Sequence, residues 1–241
     1  MVHAPAHGRP KKHSKRNKRY LILCGGIVTE VQYFKYVKSQ VRHYAIPNWD
    51  VQSGILLEGE GVDPLTLASH AVSEFKHDAK DAKAEQYDSF ICVWAVTDVD
   101  DFGEKLQQAQ DKVDTTSGKV KLIISNPCFE VWLIDHAKSC PESYQGTAMC
   151  QQLAKQLGLV NSAEGHKNKH LVIDRVQGHY SDALRNAQLH MRDDGQQSLR
   201  THHPSVGKRI NYAPWTDVPE VVVTLIAECK RASGHDLTAE L

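Results

Sequence analysis

No stretch of this 241-residue chain is apolar for long enough to cross a bilayer. The longest hydrophobic runs, residues 21–28 and 221–227, fall far short of the roughly 20 residues that a membrane span needs. The basic N-terminal stretch is too long for a secretory leader, and the apolar run after it ends in Thr29-Glu30 without a small-residue cleavage site. Together these predict a cytoplasmic protein with no membrane partner. Closely spaced cysteine pairs are also missing: Cys24, Cys92, Cys128, Cys140, Cys150 and Cys229 are scattered with no CxxC. That excludes a zinc ribbon or a secreted disulfide scaffold and predicts reduced structural thiols. The chain has no GxxxxGK[ST], no GxGxxG and no internal repeat, which argues against a nucleotide-binding loop or a solenoid.

Acidic residues are absent from the first 19 positions, which hold seven Lys and Arg. The remaining 22 basic residues face 29 acidic ones, so the body carries a net charge of about −7 although the whole chain sums to zero. A basic segment with no apolar periodicity buries too little surface to offset its ordering entropy, so residues 1–19 are expected to be a disordered tail. Such a tail either contacts phosphates, through counterion release, or acts as a solubilising terminus. The candidate nucleic-acid contacts are Lys11, Lys12, Lys15, Arg16, Lys18 and Arg19 here, with Lys167 in a later basic stretch.

The rest of the chain alternates strand and helix. Residues 20–24 are a short apolar run closed by Gly25-Gly26, a buried strand entering a turn. Thr29-Glu30 opens a helix through Val31, Phe34 and Val37, with Thr29 expected as its N-cap. Residues 51–57 read as a second strand. A long helix follows from Asp63-Pro64, with its polar later half, 76–85, expected in solvent. Residues 90–97 are apolar on both faces, which fits the centre of a parallel sheet covered by helices. Residues 119–124 read as a fourth strand, and Asn126-Pro127 precedes a helix starting near Cys128. Beyond about residue 140 the chain reads as helical, over 146–158, 180–191 and 217–229, with a polar basic loop at 196–212. The expectation is an α/β core over 20–138, a mostly parallel sheet flanked by helices, with a helical C-terminal extension, 139–241, packed on it. Any site belongs at the carboxyl ends of the strands.

Three segments at those ends carry the chemistry. Thr97-Asp98-Val99-Asp100-Asp101 places two carboxylates at i, i+2 where a strand turns. Asp98 and Asp100 can then converge on one hard cation, with Asp101 as a further ligand or a helix N-cap; a plain capped turn is the alternative. Gly25-Gly26 permits close backbone approach, and Glu30, one turn into the next helix, either faces the same site or is an ordinary first-turn acid. In Ser125-Asn126-Pro127-Cys128-Phe129-Glu130-Val131-Trp132-Leu133, Glu130 is flanked by bulky apolar residues. Its charge is costly there unless it is paired or metal-bound. His136 reads as a half-buried core histidine or a functional one. Lys167 and Lys169 read as phosphate contacts or as a solvated basic loop.

These segments together resemble the RloB-like proteins. The resemblance runs over Cys24-Gly25-Gly26, Thr29-Glu30 and Phe34, then residues 96–102, then residues 125–133 with His136; it spans about residues 19–136, and residues 125–133 are its most specific part. It implies a Toprim-like fold and a place in bacterial defence or restriction loci, often beside an AAA-type ATPase. The implied activity is Mg²⁺- or Mn²⁺-dependent phosphodiester cleavage of DNA or RNA. In that reading Asp98, Asp100, Asp101 and Glu30 are metal ligands, Glu30, Glu130 and Lys169 are catalytic, and a homo-oligomer is possible. One position departs from the pattern: Toprim-like proteins carry a glutamate directly after the first strand, where this chain has Gly25. Either Glu30 and Glu130 compensate, or the chain is a catalytically impaired nucleic-acid-binding or regulatory subunit.

Overall fold

The computed structural model describes residues 18–45, 54–85, 87–100, 102–161, 169–190 and 211–241. Asp101, Lys167 and the tail residues Lys11, Lys12, Lys15 and Arg16 lie outside them, as does nearly all of the expected loop at 196–212. The architecture is mixed α/β, built on a five-stranded, mostly parallel sheet flanked by helices.

Strands β1 (Arg19–Cys24), β2 (Ile55–Gly59), β3 (Phe90–Asp98) and β4 (Val120–Asn126) are parallel, and a two-residue β7 (Trp215–Thr216) closes the order β2-β1-β3-β4-β7 antiparallel to β4. Register brings Cys24 opposite Val96 and Asp98 opposite Ser125. The sheet is buried on both faces, as the continuous apolar runs predict. Alternate residues serve two cores: Tyr20, Ile22, Cys24, Trp94 and Val96 point to one, and Leu21, Leu23, Val93 and Ala95 to the other. The first core is covered by α1 (Thr29–Ala45), α4 (Glu130–Asp135), α5 (Thr147–Gln156), α6 (Tyr180–Leu189) and α7 (Val218–Ser233). The second is covered by α2 (Pro64–Glu85) and α3 (Gly103–Asp114). Each large apolar side chain so buried contributes on the order of 1.5–3 kcal/mol.

The structure departs from the sequence reading in several places. The part after residue 140 is not wholly helical: besides β7 it forms an antiparallel ribbon of β5 (Val160–Asn161) and β6 (His170–Leu171). Helix α7 runs to Ser233, beyond the expected end at 229, and stops where Gly234 takes φ 80° and its N–H donates to the Lys230 carbonyl at 2.8 Å. The later half of α2 is not simply solvated, because buried Asp78 accepts from the Phe90 N–H at 2.7 Å and from Arg19 Nη1 at 2.6 Å. Arg19 is therefore the first residue of β1 rather than the end of a tail. Its guanidinium also lies over the Tyr87 and Phe90 rings, at 4.8 and 4.4 Å from their centroids. Lys18 pairs with Glu228. Both cations are thus engaged with the body of the protein. Among the described residues no helix is long and apolar enough to cross a membrane. All six cysteines are buried free thiols.

Candidate active site

Because β1, β3 and β4 run parallel, their carboxyl ends share one edge, and the three segments singled out in the sequence meet there. The strands are tied together past their ends. Gly25 N–H donates to the Val96 carbonyl at 2.8 Å, Val99 N–H to that of Ser125 at 3.0 Å, and Asp100 N–H to that of Pro127 at 3.0 Å. Val99 is buried, while Asp98 and Asp100 on either side of it line a common cleft of about 280 Å³. Glu30 enters it from the first turn of α1, Glu130 from the start of α4, and Lys169 from the segment leading into β6. Asp100 adopts φ 35°, a left-handed conformation that aspartate tolerates better than most residues, and accepts from Thr147 Oγ1 at 2.5 Å.

The carboxylates strain one another electrostatically. Burial pushes the Asp98 carboxyl well above its ordinary range, and the charges of Glu30, Glu130 and Asp100 push it further. A hydrogen bond from the Phe129 N–H pulls the other way. Glu30 is raised to about 6, first by burial and then by Glu130 and Asp100, against the lowering influence of its own N–H and Lys169. Asp98 Oδ1 is sealed from solvent and has no hydrogen-bond partner, an arrangement that leaves a buried oxygen unsatisfied at a cost of about 1–3 kcal/mol. Glu130, almost wholly buried, is paired as its apolar neighbours require: its partner is the Lys169 ammonium.

Lys169 is placed by residues the sequence reading missed. Thr29 is the first helical residue of α1, and its hydroxyl does not cap the helix; it donates to the Lys169 carbonyl at 2.8 Å. Gln32 takes the Leu171 N–H on its Oε1 at 2.7 Å and donates from Nε2 to His170 Nδ1 at 2.8 Å. On α5, Gln151 lines the cleft, and Thr147, one turn earlier, holds Asp100 through its hydroxyl. His136 lies outside it. It is a core residue, bonded through Nδ1 to the Trp132 carbonyl at 2.9 Å, packed on Tyr33 and Trp132, and held neutral by burial that lowers its pKa to about 4.

Among the described residues the cleft offers carboxylate, hydroxyl and amide oxygens plus one ammonium, a set suited to Mg²⁺ or Mn²⁺ rather than to zinc. Among the described residues no group of three or more His, Cys, Asp or Glu side chains has the arrangement of a preformed metal site. The fit instead rests on the unsatisfied Asp98 oxygen and on the crowding of like charges, both of which a cation would relieve. A family model, that of the RloB-like proteins, matches residues 20–225. The chain belongs to the RloB-like family. The match runs well past residue 136, where the resemblance in the sequence ends, and takes in the β5–β6 ribbon with Lys169. No curated protein and no solved structure matches the chain.

Proposed function

We propose that the protein is a Toprim-like, divalent-metal-dependent phosphodiesterase that hydrolyses DNA or RNA, serving phage defence or restriction together with an AAA-type ATPase. The observation that carries the reading is the unsatisfied, buried Asp98 Oδ1 amid Asp100, Glu30 and Glu130 at the carboxyl edge of a parallel sheet. Asp98, Asp100 and Glu30 would hold Mg²⁺ or Mn²⁺. When bound, such an ion supplies Lewis acidity toward phosphoryl oxygen and eases deprotonation of water. Lys169 brings the positive charge that a phosphate needs. As the ammonium turns from Glu130 to a non-bridging phosphate oxygen, it stabilises the charge that grows there. The same movement frees Glu130 Oε1 to accept a proton from the attacking water. Glu30, raised to about 6 in the metal-free protein, would give up its proton as the ion binds.

Gly25 favours a second reading, a nucleic-acid-binding or regulatory subunit with weakened catalysis, because it supplies no carboxylate beside Asp98. The discriminating experiment incubates the purified protein with plasmid DNA and with tRNA in Mg²⁺, Mn²⁺ or EDTA, with and without the neighbouring ATPase. Metal-dependent cleavage that is lost in Asp98→Asn supports hydrolysis. Binding of either nucleic acid without cleavage under every condition supports the second reading.

A further inference from the structure

A smaller chamber, of about 140 Å³, adjoins the cleft; Glu30, Asp98 and Asp100 line both. Gly25, Gly26, Val62, Thr97 and Phe102 complete its lining. We propose that this chamber is a nucleobase subsite, so that the cleft takes a strand with an unpaired nucleotide; the inference rests on the phosphodiesterase reading of the acidic cleft.

Four observations carry it. Phe102 is 38 % exposed, one of the few large apolar side chains left in solvent among the described residues, and it stands at the edge of a polar cleft. Its backbone is fixed: the Phe102 N–H donates to the Val99 carbonyl at 2.9 Å, and its own carbonyl accepts from Lys105 N–H at 2.9 Å at the start of α3. With its backbone anchored, the exposed ring offers a stacking face at the mouth of the chamber. The Gly25 part of the lining carries no side chain, while the Glu30 carboxylate lies over Gly26. A methyl group at Gly25 would sit 3.5 Å from Thr97 Oγ1 and from the Val62 and Val96 carbonyls, so any larger residue would begin to fill the chamber. Thr97 and the Val62 carbonyl bring a hydroxyl and an acceptor to a space that Glu30, Asp98 and Asp100 also line, matching a planar ligand that stacks on Phe102 and presents N–H donors at its edge. Finally, Lys105 Nζ lies 5.8 Å from the Phe102 ring centroid, a cation at the rim where a flanking phosphate would pass.

A base in a duplex is stacked on both faces and reaches such a chamber only by leaving the helix, which costs a few kcal/mol. Unpaired strands avoid that cost, and stacking on an aromatic tolerates any base. With the base stacked on Phe102, the carboxylates that line both spaces stand beside the phosphodiester of the same nucleotide.

The test measures binding of short oligonucleotides to the full chain in Ca²⁺ by fluorescence anisotropy. Each sequence is presented single-stranded and as a blunt duplex, in parallel DNA and RNA arms, with 2-aminopurine as a stacking probe. Single strands should bind at least about tenfold more tightly than duplexes, with quenching of the probe. Phe102→Ala should weaken single-strand binding by about tenfold and abolish the quench, whereas Phe102→Trp should keep both. Equal affinity for the two forms, unaltered by Phe102→Ala in a protein that still cleaves with metal, would overturn the subsite and leave hydrolysis standing. Single-strand preference that depends on Phe102 without cleavage in any metal would overturn hydrolysis and leave the subsite standing. Failure of every oligonucleotide to bind would overturn both. Phe102→Trp behaving like Phe102→Ala at unchanged melting temperature would also reject a stacking role.

Discussion

The hydroxyl of Thr29 donates to the carbonyl of Lys169 at 2.8 Å although 140 residues separate them in the chain. With Gln32, it makes the first turn of α1 both the carrier of Glu30 and the clamp on the lysine that faces it. Gln32→Ala removes two hydrogen bonds and takes the acceptor from the Leu171 N–H. It should cost about 1–2 kcal/mol of stability and speed amide exchange at Leu171. Gln32→Glu keeps an acceptor for that N–H and should keep Leu171 protected. Hydrogen exchange followed by NMR checks this; an unchanged Leu171 rate in Gln32→Ala would show that the ribbon is held by other contacts.

Glu30 sets a pH dependence whose sign is fixed by its environment. Its carboxyl titrates near 6 in the folded protein and near 4.3 when unfolded, so the native state binds this proton more tightly. Stability attributable to Glu30 is therefore full below about pH 4.3 and is lost as pH rises through 6. In EDTA, Glu30→Gln should be more stable than the parent above pH 6 by on the order of 2 kcal/mol. The difference should vanish near pH 4. Urea denaturation at a series of pH values reads it; a variant less stable than the parent at pH 8 would give Glu30 a structural role instead.

The neighbouring glycines make opposite predictions. Gly25 has only ordinary contacts around a would-be methyl group, and its backbone is not left-handed. Gly25→Glu and Gly25→Gln should therefore both fold, and only the glutamate should tighten Mn²⁺ binding and raise cleavage. A methyl group on Gly26 would overlap the Glu30 carboxylate, the mobile end of a side chain. Gly26→Ala should thus leave the fold intact while displacing Glu30 and weakening the metal response. At Gly59 the same methyl group meets Val31 Cγ2 at 2.6 Å and the Gly26 carbonyl at 2.9 Å, so Gly59→Ala should lower Tm outright. Thermal melts with and without Mn²⁺ separate the three cases; loss of Tm in Gly26→Ala equal to that in Gly59→Ala would contradict this picture.

Much of the site is legible in the sequence because strand–helix alternation obliges the carboxyl ends of parallel strands to meet. That logic alone brings Asp98, Asp100, Glu30 and Glu130 to one edge, and the apolar neighbours of Glu130 already demand a partner for its charge. The identity of that partner as Lys169 is harder to read. Two-residue strands such as β5 and β6 leave no periodic signature, and Gln32 looks like any polar helix residue until the ribbon folds onto it. Thr29 satisfies the local rules for an N-cap, yet it lies inside the helix and its hydroxyl donates to a carbonyl 140 residues away. Asp78 and Arg19 likewise read as a solvated helix face and a tail, because only the folded chain brings each the other's charge. Phe102 gives no sign in the sequence that its ring stands at the rim of the carboxylates.

Titration of Mn²⁺ into the metal-free protein tests the acidic cleft most directly, read by calorimetry in two buffers of different ionisation enthalpy and by Tm. Because Asp98 and Glu30 hold protons more tightly than ordinary carboxyls, Mn²⁺ binding should release protons near pH 6 and raise Tm with ion concentration through mass action on the folded state. Asp98→Asn should lose both the heat of binding and the rise in Tm while melting no lower than the parent in EDTA. Equal Mn²⁺ affinity and an equal rise in Tm in the parent and in Asp98→Asn would contradict a metal centre at this site.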